Sequence, residues 1–288
     1  MTSLPIPARM GLTVLLLLAL AALGAGWIAQ WRGIDSTSLD LSAMLSPPAF
    51  GHPLGTDELG RDMLARLLEG GRVSLLVGLV SALASAVIGA AVGLTAGYRG
   101  GWLDALLMRL TDGVIALPLL PLLIVLGAVD PAKLGLPSGW MQDENAGLIR
   151  IVVIIALVGW TTVARLTRAA VRGIKVQDFV RAAEAMGAAP VRIMLRHLLP
   201  NAVGPIIVAT TLSVGNIILL ESALSFLGLG VQPPLASWGN MLTSALDQLH
   251  SAPMLAVWPG MMIFATVISF NLLGDGLQER LDPRSRRN

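Results

Sequence analysis

The chain has no cysteine, which excludes disulfides, thiolate metal centres and cysteine nucleophiles together. Histidine is almost missing as well. His52, His197 and His250 stand far apart, and no pair has the spacing of helical metal ligands, so no metal site is expected. Charge is scarce: only 13% of the 288 residues are Asp, Glu, Lys or Arg, about half the ~25% of a soluble domain. The two lysines, Lys133 and Lys175, follow Ala132 and Ile174. The Gly-Lys-Ser or Gly-Lys-Thr step of a phosphate-cradling loop is therefore absent, and energy from ATP would have to come from another chain. Neither His-Glu-x-x-His nor Gly-x-Ser-x-Gly occurs, which leaves no nucleophile–base pair to support a membrane-bound hydrolase. The net charge of +2 is too small to suggest nucleic acid. No catalytic residue and no cofactor is expected.

What the sequence does have is apolar length. It is 55% hydrophobic, with a mean hydropathy of +0.74. A soluble core cannot absorb that much apolar sequence, whereas a bilayer can, because about 20 helical residues cross its hydrocarbon layer. The uncharged runs place six spans: Met10–Trp31, Val73–Tyr98, Leu103–Val129, Ala146–Ala164, Asn201–Leu220 and Ser251–Gly274. Lipid offers backbone groups no partner, and the runs lack the period-two alternation of barrel strands, so the spans are helices. The fold class is all-α, a polytopic membrane protein. Residues 1–72 form an anchor helix and an external loop, 73–275 a five-helix core, and 276–288 a tail. Arg9 alone precedes the first run and no cleavage signature stands out, so that run is expected to be retained as an anchor.

Basic residues set the orientation. Arg165, Arg168, Arg172, Lys175, Arg181, Arg192 and Arg196 crowd one loop, 165–200; Arg280, Arg284, Arg286 and Arg287 lie in the tail, and 229–250 has no Lys or Arg. Six spans put the N-terminus, the Arg99 turn, that loop and the tail on one side, the cytoplasm. Arg32, Arg61, Arg66 and Arg72 fall in the first external loop and run against this pattern.

Within the basic loop, Asp178–Met186 is Ala-rich and lacks Gly and Pro, so it should be helical. Gly187 stops it and Pro190 reopens a helix. Val191, Met194, Leu195 and Leu198 then recur at i, i+3, i+4 and i+7, which predicts one apolar stripe. A helix–turn–helix of this kind fits either a partner protein or the anionic leaflet.

Arg181-Ala182-Ala183, Gly187 and then His197-Leu198-Leu199-Pro200 resemble the EAA loop of binding-protein-dependent ABC importers. In that family the loop supplies the helix that docks on the ATPase. The resemblance carries over Ala182, Ala183, Gly187, Leu199 and Pro200, and extends the docking loop to Asp178, Glu184, Arg192, Arg196 and His197. It departs at Arg181, where the motif has glutamate; Asp178 and Glu184 are the acids that would stand in. Gly55–Asp62 with Gly71–Leu75, Leu224–Gly230, Gln232-Pro233-Pro234 with Ser237-Trp238-Gly239, and Phe270–Asp275 with Leu281–Arg284 are similar, in order, to dipeptide and oligopeptide permeases of the C type. The resemblance implies a type I ABC importer permease of the inner membrane, with both termini cytoplasmic. It also implies a homologous second permease, two ATP-binding subunits, an extracytoplasmic binding protein, and a peptide cargo, with nickel as the alternative.

Candidate pathway or gate residues are Glu221, Asn216, Pro118 and Pro121. Ionisable groups inside a span are costly and so are functional suspects, and proline loosens a helix. Arg109 and Asp112, three apart, are expected to pair with each other, and Arg150 to snorkel to an interface. Asp57, Arg61 and Asp62 are candidate contacts for the binding protein. A secondary transporter is the competing class. It would show inverted repeats, and none is visible.

Overall fold

The computed structural model describes residues 4–129 and 146–281. The expected loop Asp130–Asn145 and the end of the tail from Asp282 lie outside the described residues. Among the described residues there is no strand, only an isolated bridge between Thr56 and Asp62.

The first span, expected over Met10–Trp31, starts earlier. Helix α1 runs Ile6–Leu23 and α2 continues it over Ala25–Arg32, with the Gly24 N–H still bonded to the Leu20 carbonyl at 2.9 Å. Helix α3 (Met63–Arg99) opens well before the expected Val73. Its N-cap is the Asp62 carboxylate, which accepts the Ala65 N–H at 2.8 Å, and Gly100, at φ +66°, ends it. The polar residues that make this segment read as loop are satisfied inside the fold: Arg66 meets Asp57, and Glu69 accepts the Ser36 hydroxyl. At 37 residues, α3 is about 55 Å long, well beyond the ~30 Å hydrocarbon layer.

Two expected spans are bent pairs. Helices α4 (Gly101–Ala116) and α5 (Leu119–Ala128) meet at 87°, and α6 (Ala146–Gly159) and α7 (Thr161–Lys175) at 41°. Pro118 caps α5 at the first bend, whereas Pro121 sits in the first turn of α5, where a missing N–H costs nothing. Helix α8 spans Asp178–Ala185. Helix α9 (Pro190–Ile193) runs on through a π turn, Met194–Leu198, into α10 (Leu199–Phe226). A short α11 (Trp238–Ala245) carries a Ser237–Asn240 capping box, and α12 covers Met254–Leu281. Among the described residues, four helices are long and apolar enough to cross a membrane, or up to six if each bent pair is one crossing, which is the expected number. Leu17, Val87 and Phe264 are mid-helix and well exposed, as lipid-facing side chains are.

Helices α3 and α7 touch along Gly89, Gly93 and Gly97. A methyl group on Gly89 would stand 2.5 Å from the Trp160 carbonyl oxygen, and one on Gly93 2.5 Å from that of Ala164. Only glycine permits this approach, and small residues every fourth position are how membrane helices close on one another. Buried Leu94, Val171, Val180, Ile193 and Leu198 cluster at one end of the bundle, and Met63, Leu67, Trp238 and Met241 form a second cluster. Gly204 lies against Leu281, and Gly276 against Pro5 and Ala8, so both ends of the described chain lie near the start of α10, beside the first of these clusters.

The carboxylates of α4 pair across to α7 rather than along their own helix. Arg109 and Asp112 do not pair, contrary to their spacing. Asp112 instead accepts Arg165 at 2.5 Å, and Asp104 takes Arg168 in a fork at 2.5 and 2.6 Å. Helix α7 lies beside α4 and offers guanidinium groups that grip a carboxylate with two donors. Arg150, near the start of α6, reaches across to α5. It donates to the carbonyls of Gly127 and Val129, the latter at 2.8 Å. There it satisfies the last carbonyls of α5, which have no helical partner.

Candidate functional site

The basic loop folds as the sequence predicts, with one change of face. Helix α8 ends in a C-terminal motif in which Gly187, at φ +78°, turns the chain and the Ala188 N–H reaches the Ala183 carbonyl at 3.1 Å. The inward side holds Val180, Ala183, Ile193 and Leu198, all buried. Ile193 and Leu198 are five apart, and the intervening π turn brings them onto one face. The stripe expected from a 3.6-residue period therefore splits. Leu198 is buried and Met194 half-buried, but Val191 and Leu195 are 60% and 58% exposed. With Phe179 and Met186 (81% exposed) they give the hairpin an apolar outer face. Arg181, Arg192 and Arg196 surround it, all exposed.

Tyr98, at the end of α3, fastens the hairpin. Its carbonyl accepts Lys175 at 2.6 Å, the Lys175 ammonium stands 5.1 Å from its ring centre, and Glu184 lies near its hydroxyl. Asp178 lies in the first turn of α8, near the positive end of its dipole. The rings of His197 and Phe179 are 6.4 Å apart, and Ala182 is exposed. Leu199 and Pro200 open α10.

A cavity of about 250 Å³ lies where both bends and the middle of α10 converge. Leu117 and Leu119 flank Pro118 on one side, Gly159 and Thr161 flank Trp160 on another, and Ser213 and Asn216 project from α10. Among the described residues no charged side chain lines it, and neither do Pro118, Pro121 or Glu221. Broken helices at membrane depth persist where they line such a space.

Glu221 is instead fully buried. Its carboxylate accepts the hydroxyls of Ser225 (2.7 Å), Ser74 (3.1 Å) and Ser222 (3.4 Å). Ser74 in turn accepts the Trp238 N–H at 3.2 Å, and the Trp238 indole donates to the Leu67 carbonyl at 3.0 Å. One acid thereby joins α3, α10 and α11.

Asp57, Arg61 and Asp62 are also buried, at 2%, 9% and 2% exposure. Asp57 accepts the Leu59 and Arg61 N–H groups at 2.9 Å each, the Arg61 side chain at 2.8 Å, and Arg66. Burial pushes the Asp57 carboxyl upward, but the Arg61 N–H and the charges of Arg66 and Arg61 outweigh it and hold it below its ordinary value. Asp62 caps α3 and meets His52 Nδ1 at 2.9 Å. Turned on one another, these side chains are largely withdrawn from the surface. Burial of charge demands pairing, and pairing consumed them.

The model of the family described as "Binding-protein-dependent transport system inner membrane component" matches residues 89–287. This chain belongs to that family. The di/tripeptide transport system permease protein of Pseudomonas aeruginosa is 42% identical over 280 residues, covering 95% of this chain and 87% of that one. The oligopeptide transport system permease protein of Bacillus subtilis is 36% identical over 280 residues, covering 97% and 86%. A putative peptide permease protein of Brucella suis is 39% identical over 260 residues, covering 90% and 82%. A chain of the MetNI methionine ABC transporter, solved in inward-facing conformations, aligns with a TM-score of 0.55 over 75% of this chain and 97% of that one. At 17% identity, that shows a common fold.

The chain is thus an ABC importer permease, a multi-pass inner-membrane component that works with partner subunits. Sequence reasoning missed some of what organises this permease. Tyr98 and Thr162 lie in no motif, and Ser74 and Trp238 stand in family-like strings that assign them no role. Ser225, four residues past Glu221 on the same helical face, is the one signal that was legible.

Proposed function

We propose that this permease forms one half of the translocation path of an ATP-driven importer of di- and oligopeptides. A homologous permease supplies the other half, two separate ATPase subunits supply the energy, and an extracytoplasmic binding protein delivers the cargo. The chain itself catalyses nothing. The hairpin and both termini face the cytoplasm, in keeping with the basic residues of α7–α10.

The observation that carries this reading is the hairpin's outer face. Phe179, Met186, Val191 and Leu195 are exposed on a pinned helix–turn–helix, where water would disfavour them unless another surface covers them. Arg181 is exposed beside them, and Glu184 lies near the Tyr98 hydroxyl, which leaves Asp178 as the acid to replace the motif's glutamate. The names of the relatives favour peptide over nickel.

The test is the double variant Met186→Glu, Val191→Glu in the complete transporter. Both positions are exposed, so insertion and melting temperature should hold. Co-purification of the ATPase and peptide uptake should fall more than about tenfold, as when a central interface contact is lost. Normal uptake by this variant would overturn the docking role, and import by the purified permease alone would overturn the need for an ATPase.

A further inference from the structure

The cavity's polar side chains are chemically alike: all are neutral. Asn216 is exposed halfway along α10, between Gly215 and Ile217 in an otherwise apolar stretch, and its carboxamide has no partner among the described residues. A carboxamide brings two N–H donors and an oxygen acceptor. Lipid can satisfy none of them, so the group must meet water, protein or cargo.

Several threonines elsewhere in the spans give a contrast, although the buried Thr167 hydroxyl is also without a partner among the described residues. Thr95, Thr111, Thr210, Thr211 and Thr266 all donate to the carbonyl four residues back on their own helix. Thr161 and Thr162, which open α7 at the bend and line the same cavity, do not. The carbonyl four residues before Thr161, that of Leu157, is occupied by the Trp160 indole at 2.9 Å. Their hydroxyls stay free beside the Asn216 cavity.

We propose that Asn216, with the hydroxyls of Thr161 and Thr162, forms a neutral subsite that hydrogen-bonds the backbone amides of a peptide in transit. The proposal rests on the peptide reading above and adds what the path recognises. With no charged group in the lining, neither the ammonium nor the carboxylate end of a peptide finds a counter-charge. The amide unit, common to every peptide whatever its side chains or length, is what one carboxamide and two hydroxyls can hold. The same donor set is poor for a divalent transition metal, which prefers imidazole, thiolate or carboxylate.

The experiment uses the complete transporter in proteoliposomes with the loaded binding protein. It compares uptake of trialanine with uptake of its backbone N-methylated analogue, for the parent, N216L, N216S and T162V. N216L should slow trialanine about fivefold, the size of one lost hydrogen bond, with ATP hydrolysis still stimulated by the binding protein. N216S should recover most of the rate, and T162V should slow trialanine about twofold or more. The N-methylated peptide, lacking the donor, should be slow in the parent and little changed by N216L. Unchanged trialanine uptake in both N216L and T162V overturns the subsite while leaving the peptide reading intact. Loss of the second permease from purified N216L places Asn216 at the subunit interface and overturns it as well. A parent transporter that imports no peptide sinks the substrate reading and the subsite together.

Discussion

Glu221→Ala removes the acceptor shared by three buried hydroxyls on α3 and α10. The loss is smaller than three full hydrogen bonds. Ser222 is already distant at 3.4 Å, and helical serines can turn back to a carbonyl of the preceding turn. Ser74 and Ser225 are less free, because their oxygens also hold the N–H groups of Trp238 and Val231. Two bonds at about 1 kcal/mol each, plus the void left by the side chain, come to about 3 kcal/mol. That corresponds to about a hundredfold in the opening equilibrium of α11. The absence of native cysteine makes this measurable: a single cysteine at Ala245, 1% exposed, reports opening through its reaction with a membrane-impermeant maleimide. Labelling should accelerate about a hundredfold in Glu221→Ala and about tenfold in Ser74→Ala. If both stay within threefold of the parent, Glu221 does not hold α11 and the reasoning fails.

Gly93→Leu sets a side chain against the Ala164 carbonyl and the Thr167 Cβ, both within 2.6 Å of its first carbon. It should push α3 off α7 and lower the melting temperature sharply, whereas Gly173→Ala, in open space on α7, should be neutral. Asp57 has a folded-state pKa below its unfolded value, so its contribution is present above the ordinary carboxylate range and is lost as pH falls through the folded value. Asp57→Asn should therefore melt lower at pH 7 and lose less than the parent between pH 5 and 3; parallel curves would refute the pairing.

Much of the fold was legible because lipid imposes a strict requirement on sequence: long uncharged runs have no other use. The hairpin was legible too, through Gly187 and Pro190. Errors arose where tertiary partners changed the meaning of a residue. Arg66 and Glu69 read as loop residues but belong to α3, since Asp57 and Ser36 satisfy them. Asp112 lay three residues from Arg109, yet Arg165, far away in sequence, reached it. Val191 and Leu195 left the buried stripe because the π turn changed the local period. The bend at Trp160 had no proline to announce it. Asn216 stood out as a polar residue in an apolar run, but the free hydroxyls beside it became visible only once α6 and α7 were placed.

Helix α3 is unbroken from Met63 to Arg99, with Leu67 beside Trp238 near one end and Tyr98 beside the hairpin near the other. A rod of about 55 Å pivoting through 10° carries its far tip about 10 Å. Any torque at the Tyr98 clasp is thus delivered at the Trp238 tip as a sweep, with no hinge along the way to absorb it.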